Sequence, residues 1–179
     1  MRRLNAVLTA CIMVLFLFHA VMGAFQLLGT GSNTVRVLGW VTLVLTALHA
    51  LIGIKLTADT LRTQKQAGAS YPKENRLFWA RRISGFILIA LIALHVGAFS
   101  SSASGAYRLL PFGRFKLAVQ LLLVLTLALH VLSNVKPMLI SFGIRRFEER
   151  SGDILFVLAL LLLFMTAALV FYYFRWNAF

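Results

Sequence analysis

Five runs of the chain, residues 4–28, 35–57, 83–100, 117–135 and 154–174, consist almost wholly of apolar side chains. Nothing else in the sequence constrains folding as strongly. At about 1.5 Å per residue, a helix of roughly 20 residues crosses a hydrocarbon layer of about 30 Å, and in lipid its backbone polar groups must be paired within the segment. The expected fold class is therefore all-α, an integral membrane bundle of five transmembrane helices. With 60% hydrophobic and only 13% charged residues, the chain is far too apolar for a water-soluble domain. Nearly everything outside the runs is short connection, so residues 1–179 read as a single transmembrane domain.

A net charge of +13 would suit a nucleic-acid partner if it formed a solvated face. Here the basic residues flank the apolar runs, so they report topology and no nucleic acid is expected. One set of ends (Arg2, Arg3, residues 55–82 and 136–150) carries thirteen of the eighteen Lys and Arg; the other (Arg36, Arg108, Arg114, Lys116, Arg175) carries five. The expected orientation has the N-terminus inside and the C-terminus outside, in a bacterial cytoplasmic membrane. The first run is longer than a signal-peptide core and no A-x-A site follows it, so it reads as a retained helix. Cys11 is the single cysteine, which leaves no disulfide, thiolate metal site or covalent c-type haem to expect.

The four histidines fall one to a run: His19, His49, His95 and His130. An imidazole among leucines has no water for its two ring nitrogens, so some partner must satisfy them. From the mid-points of the runs, His19 and His95 share the outer leaflet and His49 and His130 the inner, two levels roughly 10 Å apart by helical rise. Zinc or di-iron ligands would converge on one point, commonly with carboxylates, and no acidic residue lies inside a run. Two imidazoles at one depth on different helices suit the iron of a b-type haem, and two such levels suit two stacked haems. Gly23 and Gly53, four residues after His19 and His49, and Gly97, two after His95, leave room for a flat group. The competing reading is that the histidines bridge helices by hydrogen bonds and the glycines let helices approach closely.

The segments RRLNAVLTACIMVLFLFHAVMGAF (2–25) and RRISGFILIALIALHVGAF (81–99) both open with two arginines and end with a histidine shortly before GAF. The runs LVLTALHALIGIK (43–55) and LVLTLALHVLSNVK (123–136) also match. A helical hairpin is therefore expected twice, the first four helices enclosing the haems, with a fifth helix added.

These residues resemble the dihaem cytochrome b membrane anchors of the succinate dehydrogenase and fumarate reductase family. RRISGFILIALIALH is similar to that family's R-x-S-G motif followed by a haem histidine, carried here by Arg82, Ser84, Gly85 and His95. HALIGIK is similar to its H-x-x-x-G-x-R, carried by His49, Gly53 and Lys55, and HVLSNVK is a weaker copy with Asn134 in the glycine position. The resemblance implies two haem b groups, with His19, His95, His49 and His130 as axial ligands to iron. It also implies electron transfer between the quinone pool and a partner carrying iron–sulfur and flavin centres, docked on the charged inner loops. The chain departs from the family in its shortness, in placing its histidines on helices one to four, and in lacking a buried glutamate. Arg82 and Ser84 are candidates for a quinone site at the inner mouth, Ser84 alternatively bonding a haem propionate, with Asp59 or Glu74 exchanging protons. Arg36, Arg108 and Arg114 are candidates for the outer propionates. A self-contained transmembrane cytochrome of the ascorbate-reducible type, with four histidines on four consecutive helices, is the alternative function.

Overall fold

The computed structural model of the chain describes residues 1–30, 34–68, 76–99, 113–143 and 147–177. Glu74 and Arg108 lie outside them. The described residues form five helices: α1 (Arg2–Leu27), α2 (Thr34–Gln66), α3 (Arg76–Phe99), α4 (Arg114–Ser141) and α5 (Phe147–Asn177). Each is long and apolar enough to span a membrane.

Four helices outrun their apolar segments by about two turns, α5 by starting at Phe147 ahead of residue 154. α2 continues to Gln66 because TADTLRTQKQ holds no Gly or Pro to stop it. In it, Thr57, Thr60 and Thr63 donate their hydroxyls to the carbonyls four residues back, and Lys65 meets the negative end of the helix dipole. Gly68, at φ +63°, closes the end, its N–H bonded to the Lys65 carbonyl. α3 begins at Arg76, seven residues before the apolar run, and its Arg81 reaches over to α4. α4 runs through Pro137 to Ser141, past the expected end at residue 135. A proline inside a helix leaves the carbonyl four residues earlier without its N–H donor. That carbonyl belongs to Ser133, and Arg81 Nε donates to it at 2.7 Å. α3 thus supplies the hydrogen bond that lets α4 continue.

The most extensive packing joins α3 to α4 and α1 to α2, whereas α1 and α4, and α2 and α3, touch only sparingly. α5 lies against α1 and α4 through Ala24, Leu27, Val124, Ala168, Leu169 and Tyr172, an apolar cluster with every member buried. Gly29, just past the end of α1, approaches the guanidinium of Arg175 near the end of α5. The start of α1 and the end of α5 therefore lie at opposite ends of the bundle, as an odd number of crossings requires. Around the outside, Val14, Val44, Leu51, Leu129, Val157 and Leu163 are exposed. Such a belt suits contact with lipid tails rather than water.

Candidate cofactor site

Where the two tightly packed helix pairs face one another they leave a cavity of about 660 Å³, lined by α1–α4 and touched by Met165 and Leu169 of α5. That volume falls within the range of about 300–1,000 Å³ common for small-molecule sites. All four histidines line it, each half-buried.

His19 and His95, from different pairs, stand with ring centroids 6.1 Å apart and planes at 78°. Two imidazoles sharing one metal at bonds of about 2 Å, with each ring centre about 1 Å behind its nitrogen, have centroids about 6 Å apart. His49 and His130, also from different pairs, line the same cavity. Of the two couples expected from depth, His19 and His95 are in ring contact, and His49 and His130 share the cavity wall. Among the described residues, no three His, Cys, Asp or Glu side chains converge as a cluster.

A single register organises the neighbours of these rings. In α1–α2, His49 Nδ1 lies 3.3 Å from Thr9 Oγ1, and His19 packs on Gly39. In α3–α4, His95 Nδ1 lies 2.7 Å from Gln120 Oε1, and His130 packs on Gly85. Thr9, Gly39, Gly85 and Gln120 each stand ten residues before the histidine of their own helix. In both antiparallel pairs, each imidazole therefore meets the position ten residues before its neighbour's. Ten residues also separate the two levels, which puts them about 15 Å apart along each helix. The mid-points of the apolar runs gave roughly 10 Å because those runs mark the helices' lipid-facing extent, not their mutual offset.

Hydrogen bonding fixes which ring nitrogen stays open. Thr9 donates its hydroxyl to the Asn5 carbonyl at 2.7 Å, so toward His49 its oxygen accepts. Ser84 Oγ bonds the Arg81 carbonyl at 3.3 Å and accepts from His130 Nδ1 at 3.0 Å. Gln120 Oε1 can only accept. With the Gln120 amide presenting its oxygen, His49, His95 and His130 donate from Nδ1 and keep the Nε2 lone pair free, the tautomer a metal needs. The glycines act in the same direction. A helical side chain leans over the turn before it, so Gly39 uncovers the Val35 carbonyl and Gly85 that of Arg81, and these carbonyls approach His19 and His130. For His19 the approach stops short of good hydrogen-bond geometry, and its Nδ1 is buried without a closed bond.

Set against protein-family models, curated proteins and solved structures, the chain gives no match. Its functional reading rests on its own side chains.

Of the other candidate residues, Ser84 is buried, with its hydroxyl engaged by His130 and the Arg81 carbonyl. Arg82 lines the cavity with its guanidinium 5.1 Å over the Phe78 ring, and its Nε is buried without a hydrogen bond among the described residues. Arg36 lines the opposite mouth, whereas Arg114 and Asp59 are exposed and outside the cavity wall. Gly23 and Gly53 line the cavity with open space where a Cβ would stand; Gly97 is exposed and lies outside its wall.

Sequence reasoning passed over Thr9, Gly39 and Gln120. A signal was present. RVLGWVTLVLTALH (36–49) and RISGFILIALIALH (82–95) share an arginine, a glycine three residues later, an aromatic residue next, and a histidine ten residues after the glycine. By the roles of their residues, α2 corresponds to α3 and α1 to α4, a pairing different from the α1-with-α3 likeness at the chain surface of the sequence.

Proposed function

We propose that this chain is a dihaem b-type cytochrome of the membrane, the electron-transfer subunit of a quinone oxidoreductase complex, with a partner bearing iron–sulfur and flavin centres. The observation that carries the reading is the approach of His19 and His95 from separate helix pairs to a centroid distance of 6.1 Å. Hydrogen-bonded bridging to the adjacent helix is present on the Nδ1 side of His49, His95 and His130, but it uses only one nitrogen of each ring. Here three of the four rings already spend Nδ1 on an acceptor, which leaves Nε2 for something between the pairs.

The residues present fit haem. Each level offers two neutral imidazoles, apolar walls, and a cation at the corresponding mouth: Arg36 three residues before Gly39, and Arg82 three residues before Gly85. Arg82 Nε, buried and without a hydrogen bond among the described residues, suits an anionic oxygen in the cavity. When bound, haem iron supplies a one-electron couple between ferric and ferrous states. Thr9, Ser84 and Gln120 hold three ring planes and tautomers, Gly39 and Gly85 give His19 and His130 space to swing into line, and the aliphatic walls exclude water. In this reading the duplicated unit is a helix pair carrying one ligand for each haem, and the arginine-rich ends face the cytoplasm.

The purified full chain should give about two haem b per polypeptide by pyridine haemochrome assay, with low-spin difference bands. One haem or none overturns the proposal.

The quinone is placed at the inner mouth, where Arg82 faces the cavity and Asn5 Oδ1 is buried without a partner among the described residues. A quinone carbonyl gains negative charge on reduction and needs a donor with a nearby cation, which Arg82 provides. Ser84 serves this site at second hand, through His130. Arg82→Gln should slow haem reduction by a quinol analogue while both haems stay bound; unchanged kinetics would move the quinone elsewhere.

A further inference from the structure

Among the described residues, Gln120 is the only strongly polar side chain as little as 1% exposed, and it lies in α4 amid LAVQLLLVL. Its Oε1 meets His95 Nδ1 at 2.7 Å, and its Nε2 is buried without a hydrogen bond among the described residues. Leaving an amide N–H unpaired at that depth is unfavourable, so the His95 contact is what the glutamine contributes. Its counterparts differ in kind. His49 and His130 bond to the hydroxyls of Thr9 and Ser84 at 3.3 and 3.0 Å, each hydroxyl also engaged with a backbone carbonyl. An amide oxygen is the stronger acceptor, and here it is also the closer one.

Resting on the dihaem reading, we propose that Gln120 is a positioning residue that sets the reduction potential of the level formed by His19 and His95. A strong acceptor on Nδ1–H draws the proton away from the ring, makes Nε2 a better electron donor to its metal, and stabilises the oxidised state. Gln120 therefore holds this level at a lower potential than hydroxyl acceptors would. The inner level, served by two hydroxyls, feels that effect more weakly. His95 also touches Phe99 at 5.2 Å and His19 at 6.1 Å, and neither contact offers Nδ1 an acceptor.

Redox titration of the full-length protein in detergent, following the two haem components separately, tests this. Gln120→Met keeps the length and removes the acceptor. It should move one component upward by about a tenfold change in its reduced-to-oxidised ratio, about 59 mV for a one-electron couple, and leave the other in place. Gln120→Glu keeps an acceptor in either protonation state and should hold that component at or below its wild-type position. Ser84→Ala should raise the other component. A wild-type protein without haem overturns the functional reading and this proposal with it. Two bound haems with potentials unmoved in Gln120→Met, or an upward shift in Gln120→Glu equal to that in Gln120→Met, overturn this proposal alone. If Gln120→Met loses the outer haem, Gln120→Glu decides: retention at or below the wild-type potential supports the assignment, and a rise refutes it.

Discussion

Alanine at His19 and alanine at His95 are each expected to remove the same haem and leave the other bound. The two rings come from helices that are not neighbours in sequence, yet their centroids lie 6.1 Å apart, while ten residues of α2 separate the His19 level from His49. Losing either ring leaves one axial ligand, so haem content should fall from about two per chain to about one. Alanine at His49 or His130 should remove the complementary component. The expected pattern is two pairs of indistinguishable spectra, read by redox difference spectroscopy with each component assigned by its midpoint. If the His19 and His49 variants lose one and the same component, the couples are wrong and the two-level arrangement falls.

Enlarging Gly39 or Gly85 should act almost as severely without touching a ligand. A Cβ at Gly39 would stand 3.1 Å from His19 Cε1, and one at Gly85 would stand 3.3 Å from His130 Cε1. Both are tighter than ordinary carbon contact, so alanine requires the ring to give way slightly and valine requires it to leave its plane. Overpacking of this kind costs about 1–3 kcal/mol, which is a loss of about five- to 150-fold in affinity for whatever the ring binds. Gly39→Val should therefore deplete the component lost in His19→Ala, and Gly85→Val the one lost in His130→Ala. Gly23→Val and Gly53→Val serve as a contrast, because nothing lies within 4 Å of their added Cβ and any loss there comes from the cavity itself. Haem retention in full by both Gly39→Val and Gly85→Val would show that the rings do not depend on these clefts.

Five spans, their approximate limits, the single histidine in each of the first four, and the meeting of His19 with His95 were all legible in the sequence. Apolar length and helical rise are properties of one segment at a time, and bilayer thickness supplies the scale against which each segment is read. The same locality explains what stayed hidden. Pro137 marks a helix end until Arg81, from another helix, bonds the Ser133 carbonyl that the proline leaves without a donor. Ser84 reads as a ligand-binding hydroxyl at the mouth until α4 brings His130 within 3.0 Å of it. Gln120 reads as an isolated polar residue in an apolar run until His95 arrives beside it. A helix's own pattern sets the angular position of its side chains every 3.6 residues, but the sliding of one helix against its neighbour is decided by how the two surfaces interlock. In this chain that interlocking is made at Gly39 and Gly85, where the imidazole of the adjacent helix fits against bare backbone, and each fixes a register that carries the remaining histidine to its own hydrogen-bond acceptor.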